Sequence, residues 1–221
     1  MAHTLPKSKF IRKAEIEAVL KRLSRGPAAS RDRLLVLLAA GLGLRVTEAV
    51  CMTLAAFREL GEGWVYVRSA KKRQKAPVRC SQPEAEARRA AGIRNWRTKT
   101  VGYPTDRRPE ERLPVPPAII PEIRAYLKGR QRGYLFPGRD GEGHMSERQA
   151  FNIFSDACKA CGLGHKSFHA LRHYRGFTLQ AAKHDLSWTS RMLRHENVQT
   201  TLIYTQRTPD EEQKLAKEVG W

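Results

Sequence analysis

The run from His169 to Tyr204 reads HALRHYRGFTLQAAKHDLSWTSRMLRHENVQTTLIY. It predicts helices over about 169–183 and 187–194, a turn at Asn197 and a further helix near 198–206. His169 and Arg172 stand three apart, so a helix presents both on one face while Leu171 turns toward the core. His195 precedes Tyr204 by nine residues. The C-terminal third therefore carries two imidazoles, a guanidinium and a phenol at spacings that short helices can bring together.

Working outward, Gly41-Leu42-Gly43-Leu44-Arg45-Val46-Thr47-Glu48 places an arginine at a glycine-to-helix junction. Glu48 lies one turn later and can brace it. Residues 31–40 are apolar almost all round, the pattern of a buried helix, which Gly41 and Gly43 interrupt. Ile16, Val19, Leu20 and Leu23 mark one face of an amphipathic helix within 11–25, and 46–57 reads as a short helix. Pro117 suits the start of a helix with Ile119, Ile120, Ile123 and Leu127 on one face. Ser146 and Gln149 form a capping box for a helix to about Cys161, ended by Gly162 or Gly164. A second box at Thr208–Glu211 opens a last helix, about 209–219.

Strands fit Trp64–Val67, Ala76–Cys80, Asn95–Lys99 and Arg112–Val115. They lie in a different kind of segment: 66–112 holds 14 Lys and Arg against five Asp and Glu. Most of it reads as exposed strand, turn and loop, with a hairpin tip around Pro104–Pro109. The expected fold is α+β and mainly α, a helical core with a small antiparallel sheet at one edge, in a single domain over 1–221.

The whole chain is basic, with 41 Lys and Arg against 22 Asp and Glu and a formal charge of +19. Self-repulsion at that level calls for a polyanionic partner. A membrane suits least, because no apolar run reaches the length of a spanning helix. The first ten residues contain no apolar signal core, so a cytoplasmic, DNA-associated location is expected. Of the four cysteines, Cys158 and Cys161 have metal-like spacing but also fall on the helical stripe Phe151, Phe154, Cys158, Cys161. The core reading is favoured over a zinc pair.

Breaking a DNA backbone requires an in-line nucleophile, positive charge for the phosphorane oxygens and a proton for the leaving 5′ oxygen. Arginine suits the second task and His or Lys the third. In this light Gly43-Leu44-Arg45-Val46-Thr47-Glu48, His169-x-x-Arg172-His173 and His195 to Tyr204 resemble, in order, the three motifs of the tyrosine recombinase (phage integrase) family. Leu113–Pro116 and Tyr134–Pro137 are family-like segments between them. The resemblance implies that Tyr204 is the nucleophile, forming a 3′-phosphotyrosyl link. It implies that Arg45 and Arg172 clamp the scissile phosphate, that His169 helps deprotonate Tyr204, and that His195 hydrogen-bonds the phosphate. It also implies double-stranded DNA as substrate, no metal or ATP, and subunits assembled on DNA as a tetrameric synapse.

The family's leaving-group lysine has more than one candidate. Arg97-Thr98-Lys99-Thr100 resembles the Cre-like form, and the hairpin through Lys71 and Lys72 resembles the Xer-like form. Lys99 is favoured, and one of the two segments reads as an insertion. Arg194 stands where the family usually has glycine, where its side chain either crowds the turn or adds a phosphate contact. The resemblance starts where the family's catalytic domain starts, so an N-terminal DNA-clamping domain is not expected. His144, His165, His173 and His184 read as structural or surface residues. The rival readings are a non-catalytic DNA-binding module, a type IB topoisomerase-like enzyme and a basic RNA-binding protein.

Overall fold

The computed structural model describes residues 10–68, 75–93, 98–102, 110–130, 132–138, 141, 143–182, 185–195 and 200–201, and of 75–79 and 98–102 it describes the backbone. Two units divide them, one within 1–67 and 112–221 and one within 68–111.

Helix α2 (Ala29–Leu42) is the axis of the first unit. Leu34, Leu35, Val36, Leu38, Ala39, Ala40 and Leu42 are all buried, as its near-uniform apolarity predicts. Around it pack α1 (Lys13–Leu23), α3 (Val46–Val50), α5 (Ile120–Leu127), α6 (Glu147–Ala160) and α7 (His169–Ala181). Helix α8 (Leu186–Met192) packs on α7. The helix runs through Gly41 instead of breaking there. Gly41 serves packing: a Cβ would meet Ile119 Cδ1 at 3.1 Å. The break comes at Gly43, whose φ of 63° makes it a left-handed cap.

The expected helix over 46–57 is two pieces, α3 and a 3₁₀ turn at Leu54–Phe57. The backbone between them is engaged elsewhere. Leu135 N–H donates to the Met52 carbonyl at 2.7 Å and Leu54 N–H to the Gly133 carbonyl at 3.0 Å. The Ser146 cap forms as read, its hydroxyl accepting from Gln149 N–H at 3.1 Å.

Strand β1 (Trp64–Arg68) pairs with β4 (Glu110–Pro114), burying Val65 and Val67 on alternate positions. Arg112 closes this pair, lying 4.3 Å from the Trp64 ring centroid and 2.7 Å from Glu59. In the second unit β2 (Lys75–Arg79) runs antiparallel to β3 (Thr98–Gly102), with Val78 opposite Lys99 and Arg79 opposite Thr98. Neither rival hairpin forms as read: β1 pairs with β4 and β2 with β3, two pairs nested in sequence, and the excursion between β2 and β3 is 80–97. That excursion is not loop. It contains α4 (Gln82–Ala90), which has Ser81 at the N-cap position, Pro83 in the first turn and no buried residue.

Candidate active site

Arg45 is held from below. Its own N–H donates to Glu48 Oε2 at 2.8 Å and its Nη1 to Oε1 at 2.6 Å. The i, i+3 carboxylate is thus the brace that the sequence suggested. Arg45 Nη2 donates to the Arg194 carbonyl at 3.0 Å, across 149 residues of chain.

Arg172, on the first turn of α7, is only 1 % exposed. Its Nη1 donates to the Gly43 carbonyl at 2.6 Å and its Nη2 donates to the Leu193 carbonyl. Nη1 also lies 3.8 Å from Glu48 Oε2. A guanidinium has five N–H bonds and no acceptor, the donor set that suits an oxyanion.

Gly43 makes this approach possible. A Cβ there would stand 2.6 Å from Leu193 Cδ2 and 3.2 Å from Arg175 Cγ. Only a bare α-carbon lets the turn before Arg45 lie against the turn before His195.

Arg194 is what the sequence reading left open. It is the one described non-glycine residue with positive φ, 55°, an arrangement that costs an L-residue roughly 1–2 kcal/mol. Its side chain neither crowds the turn nor points to solvent. It turns inward, where Nη2 bonds Glu48 Oε2 at 2.6 Å and the Gly43 carbonyl at 3.2 Å, and Nη1 bonds the Met192 carbonyl at 3.0 Å. The only sequence signal for this was the missing glycine. Its partner, 146 residues upstream, carried none.

Burial alone would push the Glu48 carboxyl up, but Arg194 and then Arg45 outweigh it and hold Glu48 below the ordinary carboxylate range. The opposite happens at His195. Burial, then Arg172, Arg45, His169 and Arg194, push the imidazole down to about 3, so the ring is neutral at ordinary pH. Its Nδ1 lies 2.8 Å from Thr201 Oγ1. When that hydroxyl donates, the proton sits on Nε2, which is then a hydrogen-bond donor. His169 is exposed at the start of α7, its ring edge-on to buried His173 with centroids 4.6 Å apart.

Arg45, Arg172 and His195 thus gather around one carboxylate and one turn, although 150 residues separate Arg45 from His195, while His169 shares α7 with Arg172 and its charge is felt at His195. Lys99 lies on β3 in the second unit. Lys71, Lys72, His184, Tyr204, the tip at 104–109 and the helix expected at 209–219 lie outside the described residues. Cys158 is fully buried on the core face of α6, where burial pushes its thiol up to about 12. Of the remaining histidines, His165 packs on Phe151, and His144 Nδ1 lies 2.8 Å from the Met145 carbonyl.

The chain resembles known proteins over nearly its whole length. The fimbrial regulatory protein FimB of Escherichia coli K12 is 26% identical over 200 residues, 90% of this chain and 84% of FimB. The tyrosine recombinase XerD of Caulobacter vibrioides is 27% identical over 205 residues, 90% of this chain but 58% of XerD. The Tn1549 transposon integrase, solved with circular intermediate DNA, shares the fold at a TM-score of 0.68 and 16% identity, over 99% of this chain and 69% of that one. No helix among the described residues is long and apolar enough to cross a membrane. The model of the phage integrase family matches residues 9–211, and with it this chain belongs to the phage integrase family of tyrosine recombinases.

Proposed function

We propose that the chain cuts and reseals double-stranded DNA by transesterification at Tyr204, as a site-specific recombinase. The Tyr204 oxygen attacks the scissile phosphorus and a P–O–Tyr bond forms. The P–O5′ bond breaks, and the 5′ oxygen leaves with a proton. Attack by a 5′ hydroxyl from a second strand reverses the step and restores the phenol. The phosphodiester is replaced by one of similar energy, so the chemistry itself requires no ATP. The roles are those that the family resemblance implies, and each suits its residue's chemical type. Arg45 and Arg172 stabilise the charge that develops on the two non-bridging oxygens. His169, open to solvent at a helix start, takes the Tyr204 proton. Neutral His195 donates a hydrogen bond to the phosphate. Lys99 supplies the leaving-group proton. Because exchange needs two sites and four strands, the working species is proposed to be a tetramer on paired DNA sites.

The observation that carries this reading is the convergence of Arg45, Arg172 and His195, distant in sequence, around Glu48 and the 193–195 turn. A nicked suicide substrate tests it. A covalent DNA adduct that disappears in Tyr204→Phe is expected. Tight DNA binding without an adduct would leave a non-catalytic DNA-binding module, and relaxation of plasmid DNA without strand exchange would leave a topoisomerase.

A further inference from the structure

We infer that Arg175 is a further DNA contact: it receives a backbone phosphate beside the scissile one, which Arg45 and Arg172 hold. The inference rests on DNA as the substrate proposed above and adds a residue that none of the three motifs contains.

Four arginines meet at the Gly43 turn. Arg45 follows it by two residues, Arg172 and Arg194 both donate to its carbonyl, and the stem of Arg175 packs on its α-carbon. A Cβ at Gly43 would lie 3.2 Å from Arg175 Cγ and 3.4 Å from Arg175 Cβ. The first three have partners inside the chain, at Glu48 or at backbone carbonyls. Arg175 differs: among the described residues no hydrogen bond or ion pair reaches its guanidinium. Burial draws it below the ordinary arginine value, and Tyr174, not a carboxylate, is the group that works against this. It also stands one turn from Arg172 on α7, where like charges three residues apart repel. A half-buried cation in such company costs the free protein stability. Its nitrogens still reach the surface, so an anion arriving from outside can meet them. The balance of charge indicates which anion. Four guanidinium groups against the single carboxylate of Glu48 leave three positive charges in surplus at this turn. The scissile phosphodiester brings only one negative charge. Its neighbours on the same strand recur at every nucleotide, about 3.4 Å of helix axis apart, so the substrate itself delivers further anions to the place where Arg175 waits.

The test compares the parent chain with Arg175→Met and Arg175→Lys. It measures binding to a duplex of the suicide substrate's sequence as a function of salt, urea unfolding, and single-turnover adduct formation at saturating DNA. Methionine keeps an unbranched stem against Gly43 and removes the charge. Arg175→Met is expected to weaken duplex binding roughly 5- to 20-fold at about 100 mM salt and to lower the salt slope by about one. Its affinity is expected to fall by more than its saturating rate, because the lost phosphate is not the one that reacts. Its urea midpoint is expected to equal or exceed the parent's, since a charge without a counter-charge is gone. Arg175→Lys keeps the charge and is expected to keep the slope. Parental affinity and slope in Arg175→Met overturn the inference and leave a carboxylate, of this chain or of a second copy, as the partner. A loss confined to the saturating rate overturns it too, by placing Arg175 on the scissile phosphate. So does a clearly lower urea midpoint or a failure to fold, either of which makes Arg175 a packing residue. The binding measurements need no cleavage. A parent chain that binds DNA but forms no adduct therefore overturns the proposed chemistry, while the affinities and slopes still decide this inference.

Discussion

Glu48 is the residue on which the site turns, although it is a buried carboxylate that no substrate would touch. Its truncation removes the carboxylate that faces buried Arg172 and Arg194. Glu48→Ala is therefore expected to destabilise the fold by about 3–5 kcal/mol, measured by urea unfolding. His195 makes a second prediction. Its ordinary value of 6.5 falls to about 3 in the fold. Below pH 6.5 the unfolded chain takes up a proton that the native ring refuses, so stability declines as pH drops from 6.5 toward 3. The slope from this group reaches at most about 1.4 kcal/mol per pH unit. Unfolding measured between pH 7 and 5, before the carboxylates titrate, should show it, and His195→Gln should flatten it. The Arg45–Glu48 brace was legible in sequence because its partners are three residues apart. The Arg194–Glu48 pair was not, because nothing local marks a contact spanning 146 residues.

Among the elements, the helices with a buried face were the ones periodicity found. Helices α1, α2, α6, α7 and α8 fall within a few residues of their expected bounds. Helix α4 was missed because it buries nothing, so its sequence has no apolar stripe to read. Its start signal, Ser81 with Pro83 in the first turn, was present but outweighed by the surrounding charge. The strand register gives a prediction at this scale. Arg79 faces Thr98 directly, so a two-residue turn can join them. Replacing 80–97 by Asn-Gly should leave the melting temperature of the helical unit within a few degrees, because among the described residues 80–93 no side chain is buried. A fall of more than about 10 °C would mean that α4 supports the core.

For the whole molecule the governing quantity is the charge of +19. If the partner is DNA, association is driven largely by release of counterions from phosphates. Affinity for any duplex should then fall steeply with salt, on the order of 10³-fold or more between 50 and 200 mM. A flat response would count against a phosphate-tracking surface. Charge alone did not separate DNA from RNA as a partner. The ordered motifs did that in sequence, and the match to the phage integrase family over residues 9–211 agrees with them.

The carbonyl of Gly43 accepts from Arg172 and from Arg194, residues that leave the ribosome 129 and 151 positions after it. A chain still being translated can form the Arg45–Glu48 pair early, but it holds neither late arginine. Closing such long loops comes after local structure, with its entropy spent before any contact rewards it. The cationic cluster is thus completed only once Arg194 has been synthesised, and a nascent polypeptide that stops short of it holds the Arg45–Glu48 pair alone.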